Sequence, residues 1–263
     1  MYIAVSRCLR SETQGDIVNF IRYKSKSSTR WLNRQVNDPH TKQSKSDHYR
    51  SRAAYKLIEI DQKYSVFNRK TENILDLGFA PGAWTQVAVE RMKKLGVKSS
   101  ILGVDLILST APKGSHFIQG NILSKKTHDD IRDFFTRKQS EIVKESEGSE
   151  IEIIDQKRKM LTVDLVLSDM MSNTSGIKDN DHYASMDLCD GAIILACEVL
   201  KEGGSLVMKF YTGKEDQVLQ ERMRLLFEKV YRFKPQACRN ESREMYIIGV
   251  GKKRDICVEE VFH

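Results

Sequence analysis

Apolar residues along this chain recur in two rhythms that alternate from one end to the other. Four short runs have the length and continuity of strands buried on both faces: Ile74 to Leu77, Ile101 to Leu106, Val163 to Asp169 and Ser205 to Phe210. Between them lie stretches with apolar positions at helical spacing. From Trp84 to about Leu95, Val87, Ala88 and Met92 alternate with Gln86, Glu90 and Lys93. Further helices are predicted near Thr127 to Arg137, from Met186 to Leu200 with a stop at Gly203-Gly204, and from about Glu215 to Val230. His116 to Asn121 reads as a short strand, Ser242 to Val250 as the last strand, and Arg50 to Leu57 as helical. This alternation predicts an α/β, Rossmann-like fold: a mostly parallel, doubly wound sheet with helices on both faces.

The first run leads into Gly78-Phe79-Ala80-Pro81-Gly82-Ala83-Trp84, a small-residue turn between a strand and a helix. Gly78 suits a backbone turning under a ligand, Gly82 permits close approach, and Pro81 stiffens the bend. A dinucleotide fingerprint would need G-x-G-x-x-G here, and the glycines do not fit it. The next strand ends in Asp105 and Leu106, where a carboxylate is placed to accept hydrogen bonds from a ribose diol. The pair points to S-adenosylmethionine as cofactor, with the amide of Asn121 at the end of the third strand facing the adenine.

The 263 residues, 40% hydrophobic and 30% charged, suffice for one large domain. No apolar run approaches the roughly 20 residues of a membrane helix, so no membrane role is expected. The five cysteines form no C-x-x-C pair, which predicts reduced thiols and no metal site. Residues 1–56 hold 12 Lys and Arg against 4 Asp and Glu, a net +8 within a total of +7, so the basicity is local. A basic lobe on a nearly neutral domain favours a polyanionic partner. Lys42, Lys45, Arg50 and Arg52 are the candidate RNA contacts. Residues 1–30 resemble an organellar transit peptide, although Glu12 and Asp16 are unusual in one. Residues 138–160, rich in Glu, Lys and Ser without clear period, are expected to be a surface insertion in a single domain spanning 31–256, with 257–263 as a tail.

In an open sheet of this kind, Asp76, Asp105, Asp169 and Lys209 would meet at the carboxyl edge. Lysine at the end of an apolar strand must be paired or functional, because an unpaired buried ammonium is costly. Arg50 to Leu57, Asp76 to Trp84, Leu167 to Met170, Val207 to Lys209 and Ser242 to Tyr246 together resemble the FtsJ/RrmJ 2′-O-ribose RNA methyltransferases. The resemblance implies a catalytic tetrad of Lys56, Asp169, Lys209 and Glu244, with adenosylmethionine held by Gly78, Ala80, Pro81, Gly82, Trp84, Asp105, Leu106, Asn121 and Asp169. Two departures stand out: Met171-Ser172 where the family has Ala-Pro, and Asn121 where it often has an acid.

Within the family, Trp31 to Gln35, Gly176 to His182 and Arg239 to Ser242 look most like the mitochondrial large-subunit rRNA uridine enzymes. The implied partner is rRNA in a large-subunit particle, the implied address the mitochondrion, and a monomer is favoured. The tRNA anticodon-loop enzymes and the nucleolar relatives are the alternatives, with the nucleolus or cytoplasm as the alternative address. A different class, an RNA-binding assembly factor that no longer needs catalysis, sits poorly with a complete tetrad.

Overall fold

A computed structural model describes residues 38–145 and 162–263. The transit-like segment at 1–30 and residues 146–160 of the expected insertion lie outside them. Along the chain come α1 (Pro39–Ser46), α2 (Ala53–Tyr64), β1 (Asn73–Leu77), α3 (Ala83–Leu95), β2 (Ser100–Asp105), β3 (His116–Gln119) and α4 (Lys125–Glu145). They are followed by β4 (Val163–Ser168), α5 (Lys178–Val199), β5 (Leu200–Tyr211), α6 (Asp216–Leu226), β6 (Phe227–Phe233), β7 (Glu244–Lys252) and α7 (Val258–Val261).

The seven strands lie in the order β3-β2-β1-β4-β5-β7-β6. β1 to β5 are mutually parallel, and β7 runs antiparallel between β5 and β6. Alternating side chains send each strand to both faces. Ile74, Leu165, Leu167, Val207, Tyr246 and Ile248 meet α2 and α3 on one face, while Leu75, Val166, Leu206 and Ile247 meet α4, α5 and α6 on the other. The expected mostly parallel sheet with helices on both faces is therefore present.

Three element boundaries differ from the sequence reading. α4 continues to Glu145, into the stretch expected to be an insertion. α5 begins at Lys178, not Met186, because its first turns (Lys178 to Ser185) are polar and carry no apolar stripe to betray them. The helix expected to reach Val230 ends at Leu226, and Phe227–Phe233 is an edge strand. In that strand Val230, Tyr231 and Phe233 supply the branched and aromatic residues that sheets favour. The last residues are packed, with Val261 buried in the core and the Arg222 guanidinium 4.5 Å over the Phe262 ring.

Candidate active site

Parallel strands end together, and their carboxyl edge is where the chemistry gathers. β1 leaves the sheet at Gly78, whose φ of +75° and close backing by the Met170 main chain, 2.7 Å from any added Cβ, leave room only for glycine. At Gly82, φ +97°, a Cβ would strike the Phe79 ring at 2.7 Å. Asp105 at the end of β2 fastens this turn. Its Oδ2 accepts the Ala80 N–H at 2.8 Å, and its Oδ1 accepts the Ile107 N–H at 2.9 Å. Arg50 braces the turn from outside, donating from Nη1 to the Pro81 carbonyl at 2.9 Å and to the Thr110 carbonyl. Leu106 is exposed, and the Asn121 amide oxygen accepts the Leu123 N–H at 2.9 Å. Trp84 faces inward: its indole donates to the Ala53 carbonyl at 2.9 Å and so pins the start of α2.

Beneath the turn, Asp76 is fully buried. Its Oδ2 accepts the Thr85 hydroxyl at 2.6 Å, whereas Oδ1 has no partner among the described residues. Burial pushes this carboxyl up to about 7, with the Thr85 hydrogen bond pulling the other way. An unsatisfied buried carboxylate oxygen under a glycine cradle fits a ligand that carries cationic and hydrogen-bonding groups. S-adenosylmethionine carries both.

Beside the cradle lies a chain of ionic groups. Lys209 Nζ is 3.0 Å from Asp169 Oδ1 and donates to the Asp169 carbonyl at 2.7 Å. Lys56 Nζ, reaching over from α2, is 2.5 Å from Glu244 Oε1. The Tyr246 hydroxyl stands between the pairs, 2.9 Å from Asp169 Oδ1 and 2.5 Å from Glu244 Oε1. Two lysines and two carboxylates balance in charge, which is what makes their burial tolerable. Burial works against the charge of Lys56, but Asp169 and Glu244 together outweigh it and raise its pKa. Burial likewise opposes ionisation of Asp169, and Lys209 and Lys56 overcome it, holding that carboxyl below its ordinary range. Tyr246, fully buried beside two carboxylates, is driven well above the usual phenol value.

These contacts follow from register. Lys209 pairs with Tyr246, and Tyr211 with Glu244, across the antiparallel β5–β7 ladder. Glu244 and Tyr246, two apart, therefore share a face. The FtsJ-like methyltransferase family matches residues 49–252, which contain both the cradle and this ionic chain. The chain belongs to that family.

Two relatives illustrate the likeness. "rRNA methyltransferase 2, mitochondrial" of Saccharomyces cerevisiae is 40% identical over 301 residues, covering 92% of this chain and 93% of that protein. "Ribosomal RNA large subunit methyltransferase E" of Ruegeria pomeroyi is 36% identical over 239 residues, covering 89% and 92%. Among solved structures, a Plasmodium falciparum ribosomal RNA methyltransferase superposes with a TM-score of 0.59 at 30% identity, covering 78% of this chain and 98% of that one. As an FtsJ-like enzyme, this chain is an S-adenosylmethionine-dependent methyltransferase.

The structure brings Lys56, Asp169, Lys209 and Glu244 together, and it brings Gly78, Ala80, Pro81, Gly82 and Asp105 into one cradle. Arg50 and Arg52, the expected RNA contacts, each engage backbone carbonyls. Arg50 holds Pro81 and Thr110, and Arg52 donates to the Ala237 carbonyl, because each guanidinium lies within reach of backbone acceptors. Lys42 and Lys45 are exposed on α1. Tyr246 was missed by the sequence reading, although a tyrosine two residues after Glu244 on a strand had to share its face. Glu59 was also missed as an anchor: it accepts the Gln236 and Ala237 N–H groups at 2.5 and 2.8 Å and ties α2 to the loop leading to β7.

Proposed function

We propose that this methyltransferase modifies a ribose 2′-hydroxyl of large-subunit ribosomal RNA, on a uridine, in the mitochondrion, acting as a monomer on the ribosomal particle. The observation that carries the reading is the unbroken chain Lys209–Asp169–Tyr246–Glu244–Lys56 beside the glycine cradle. The names of the yeast and bacterial relatives support the rRNA substrate, and the yeast name supports the mitochondrion.

When bound, S-adenosylmethionine supplies an electrophilic methyl group. Gly78, Ala80, Pro81 and Gly82 would cradle it, Asp105, Leu106 and Asn121 would meet its adenosine, and Asp76 would face its cationic end. Lys209, in its neutral form after giving its own proton to solvent, would accept the proton of the attacking 2′-hydroxyl. Asp169, bonded to that lysine through side chain and carbonyl, would fix its direction. Lys56 and Glu244 would orient the hydroxyl, and holding two reactants in line contributes up to about 7–11 kcal/mol in well-oriented cases. Lys42 and Lys45, exposed on α1, would meet RNA phosphates.

The test combines 2′-O-methyl mapping of mitochondrial and cytosolic RNA after depletion with assay of Lys209→Ala and Lys209→Arg. Loss of one large-subunit ribose methyl and inactivity of both variants, with cofactor binding retained, is expected. Substantial activity in Lys209→Arg would overturn the base role, since a guanidinium keeps its proton. A methyl lost from tRNA instead would overturn the substrate.

A further inference from the structure

At the edge of the sheet away from the cofactor, three aromatic rings and two lysines gather without any role in the chemistry above. Tyr64, the last residue of α2, and Tyr231 of β6 lie with ring centroids 4.9 Å apart and planes 32° from parallel. Phe233 meets Tyr64 edge-on at 5.7 Å, and Lys63 Nζ sits 4.4 Å over the Phe233 ring. Residues two apart on a strand share a face, so Lys229, Tyr231 and Phe233 form one stripe beside α2. Arg232 looks the other way, over Phe210 and onto Asp216. Tyr231 is 38% exposed, and among the described residues no carboxylate pairs with Lys63 or Lys229. Guarding an edge strand against pairing accounts for a lysine there. It does not account for an exposed tyrosine ring stacked on another.

We infer that this patch is a stacking platform for a single-stranded segment of the substrate RNA flanking the target nucleotide, with bases on Tyr231 and phosphates on Lys63 and Lys229. Aromatic faces interleaved with cations are the chemistry that holds unpaired nucleotides irrespective of sequence. The inference rests on the RNA reading of the active site. Its position agrees with that reading. Phe233 pairs with Tyr246, which pairs with Lys209, so the stripe begins two strand spacings, roughly 10 Å, from the reacting lysine. Tyr231 stands two residues further along β6, which makes the span roughly 12 Å; at roughly 3.4 Å per nucleotide of stacked strand, that is about three to four nucleotides.

The experiment measures affinity of full-length protein for an unpaired rRNA fragment, at several salt concentrations, for wild type, Tyr231→Ala, Tyr231→Phe and Lys229→Glu. Adenosylmethionine affinity and thermal midpoint are followed in parallel. Tyr231→Ala should bind RNA roughly 5- to 150-fold more weakly, the loss expected for one stacked base. Tyr231→Phe should bind like wild type, and Lys229→Glu should flatten the salt dependence, all with cofactor binding unchanged. RNA affinity and salt slope at wild-type values in folded Tyr231→Ala and Lys229→Glu would overturn the platform, as would equal loss in Tyr231→Ala and Tyr231→Phe. Because RNA binding is read directly, a wild type that binds the fragment at this platform yet methylates no ribose would overturn the proposed activity and leave the platform standing.

Discussion

The Tyr246 hydroxyl touches Asp169 Oδ1 at 2.9 Å and Glu244 Oε1 at 2.5 Å, so a single phenol joins two ion pairs contributed by α2, β5, β7 and the residue that follows β4. It has one proton for two carboxylate oxygens and can donate to only one at a time. The lysines complete the satisfaction of both acids. Tyr246 therefore sets the spacing of the two pairs, and its own proton is held too tightly to be released.

Tyr246→Phe removes that link while keeping the ring that packs 5.7 Å from Trp84. A hydrogen bond to a charged group contributes about 1.5–3 kcal/mol, so kcat should fall roughly 10- to 150-fold with adenosylmethionine affinity nearly unchanged. Single-turnover assay and calorimetry on the folded variant check this. A kcat equal to wild type would show that the lysine pairs need no spacer.

Arg50 carries a prediction that separates cofactor from RNA. Its guanidinium joins the Pro81 and Thr110 carbonyls across the cradle, and its backbone N–H donates to Gln86 Oε1 at 3.1 Å. Arg50→Ala should weaken adenosylmethionine binding about fivefold, equivalent to about 1 kcal/mol at this exposed position. The salt slope of RNA binding should change little, whereas replacing Lys42 and Lys45 should flatten it by nearly one unit per lost phosphate contact on duplex. The opposite pattern, normal cofactor affinity with a flattened slope in Arg50→Ala, would place the guanidinium on RNA.

Much of this site is legible in the sequence. A lysine ending an apolar strand and acids ending three others had to meet at one edge, because parallel strands share a carboxyl end. What remained hidden was anything that depends on where a long side chain lands. The charge of Arg50 and Arg52 was visible, but not that Pro81, Thr110 and Ala237 carbonyls stand within their reach. β6 was hidden because Phe227 to Val230 continues the helical period of α6, and only pairing with β7 decides for a strand. The polar start of α5 carried no periodic signal, although it braces the end of β5 and the loop after Asp169.

That brace yields a further prediction. His182, 2% exposed, faces the Tyr211 carbonyl with Nδ1 at 2.7 Å and accepts the Glu215 N–H at Nε2 at 3.0 Å. Accepting at Nε2 places the ring proton on Nδ1. Asp181 beside it accepts from the Ser175 and Gly176 N–H groups in the loop after Asp169. His182→Ala strands a donor and an acceptor and should cost about 2–4 kcal/mol, with a several-degree fall in Tm. His182→Gln, which offers one donor and one acceptor, should recover much of it. Equal losses in both variants, read by thermal melts and kcat, would show that only ring packing against Gly213 matters.

Asp76 gives the pH dependence. In the folded chain burial holds its carboxyl at about 7, against 3.8 for a free aspartate. A raised folded value means that the native protein keeps a proton that the unfolded chain has already released. The stability from this group is therefore fully present below about pH 4 and is lost as pH rises through about 7. At about 1.36 kcal/mol per unit, the interval from pH 5 to 8 spans about two units of loss, or about 3 kcal/mol. Asp76→Asn keeps the shape and cannot ionise, so the ligand-free variant should gain on wild type by about that amount over the same interval. Denaturant unfolding at pH 5 and pH 8 measures the difference. Parallel pH courses for the two proteins would mean that Asp76 is ionised in the folded state throughout, and that its open oxygen already faces water or a cation before any cofactor arrives.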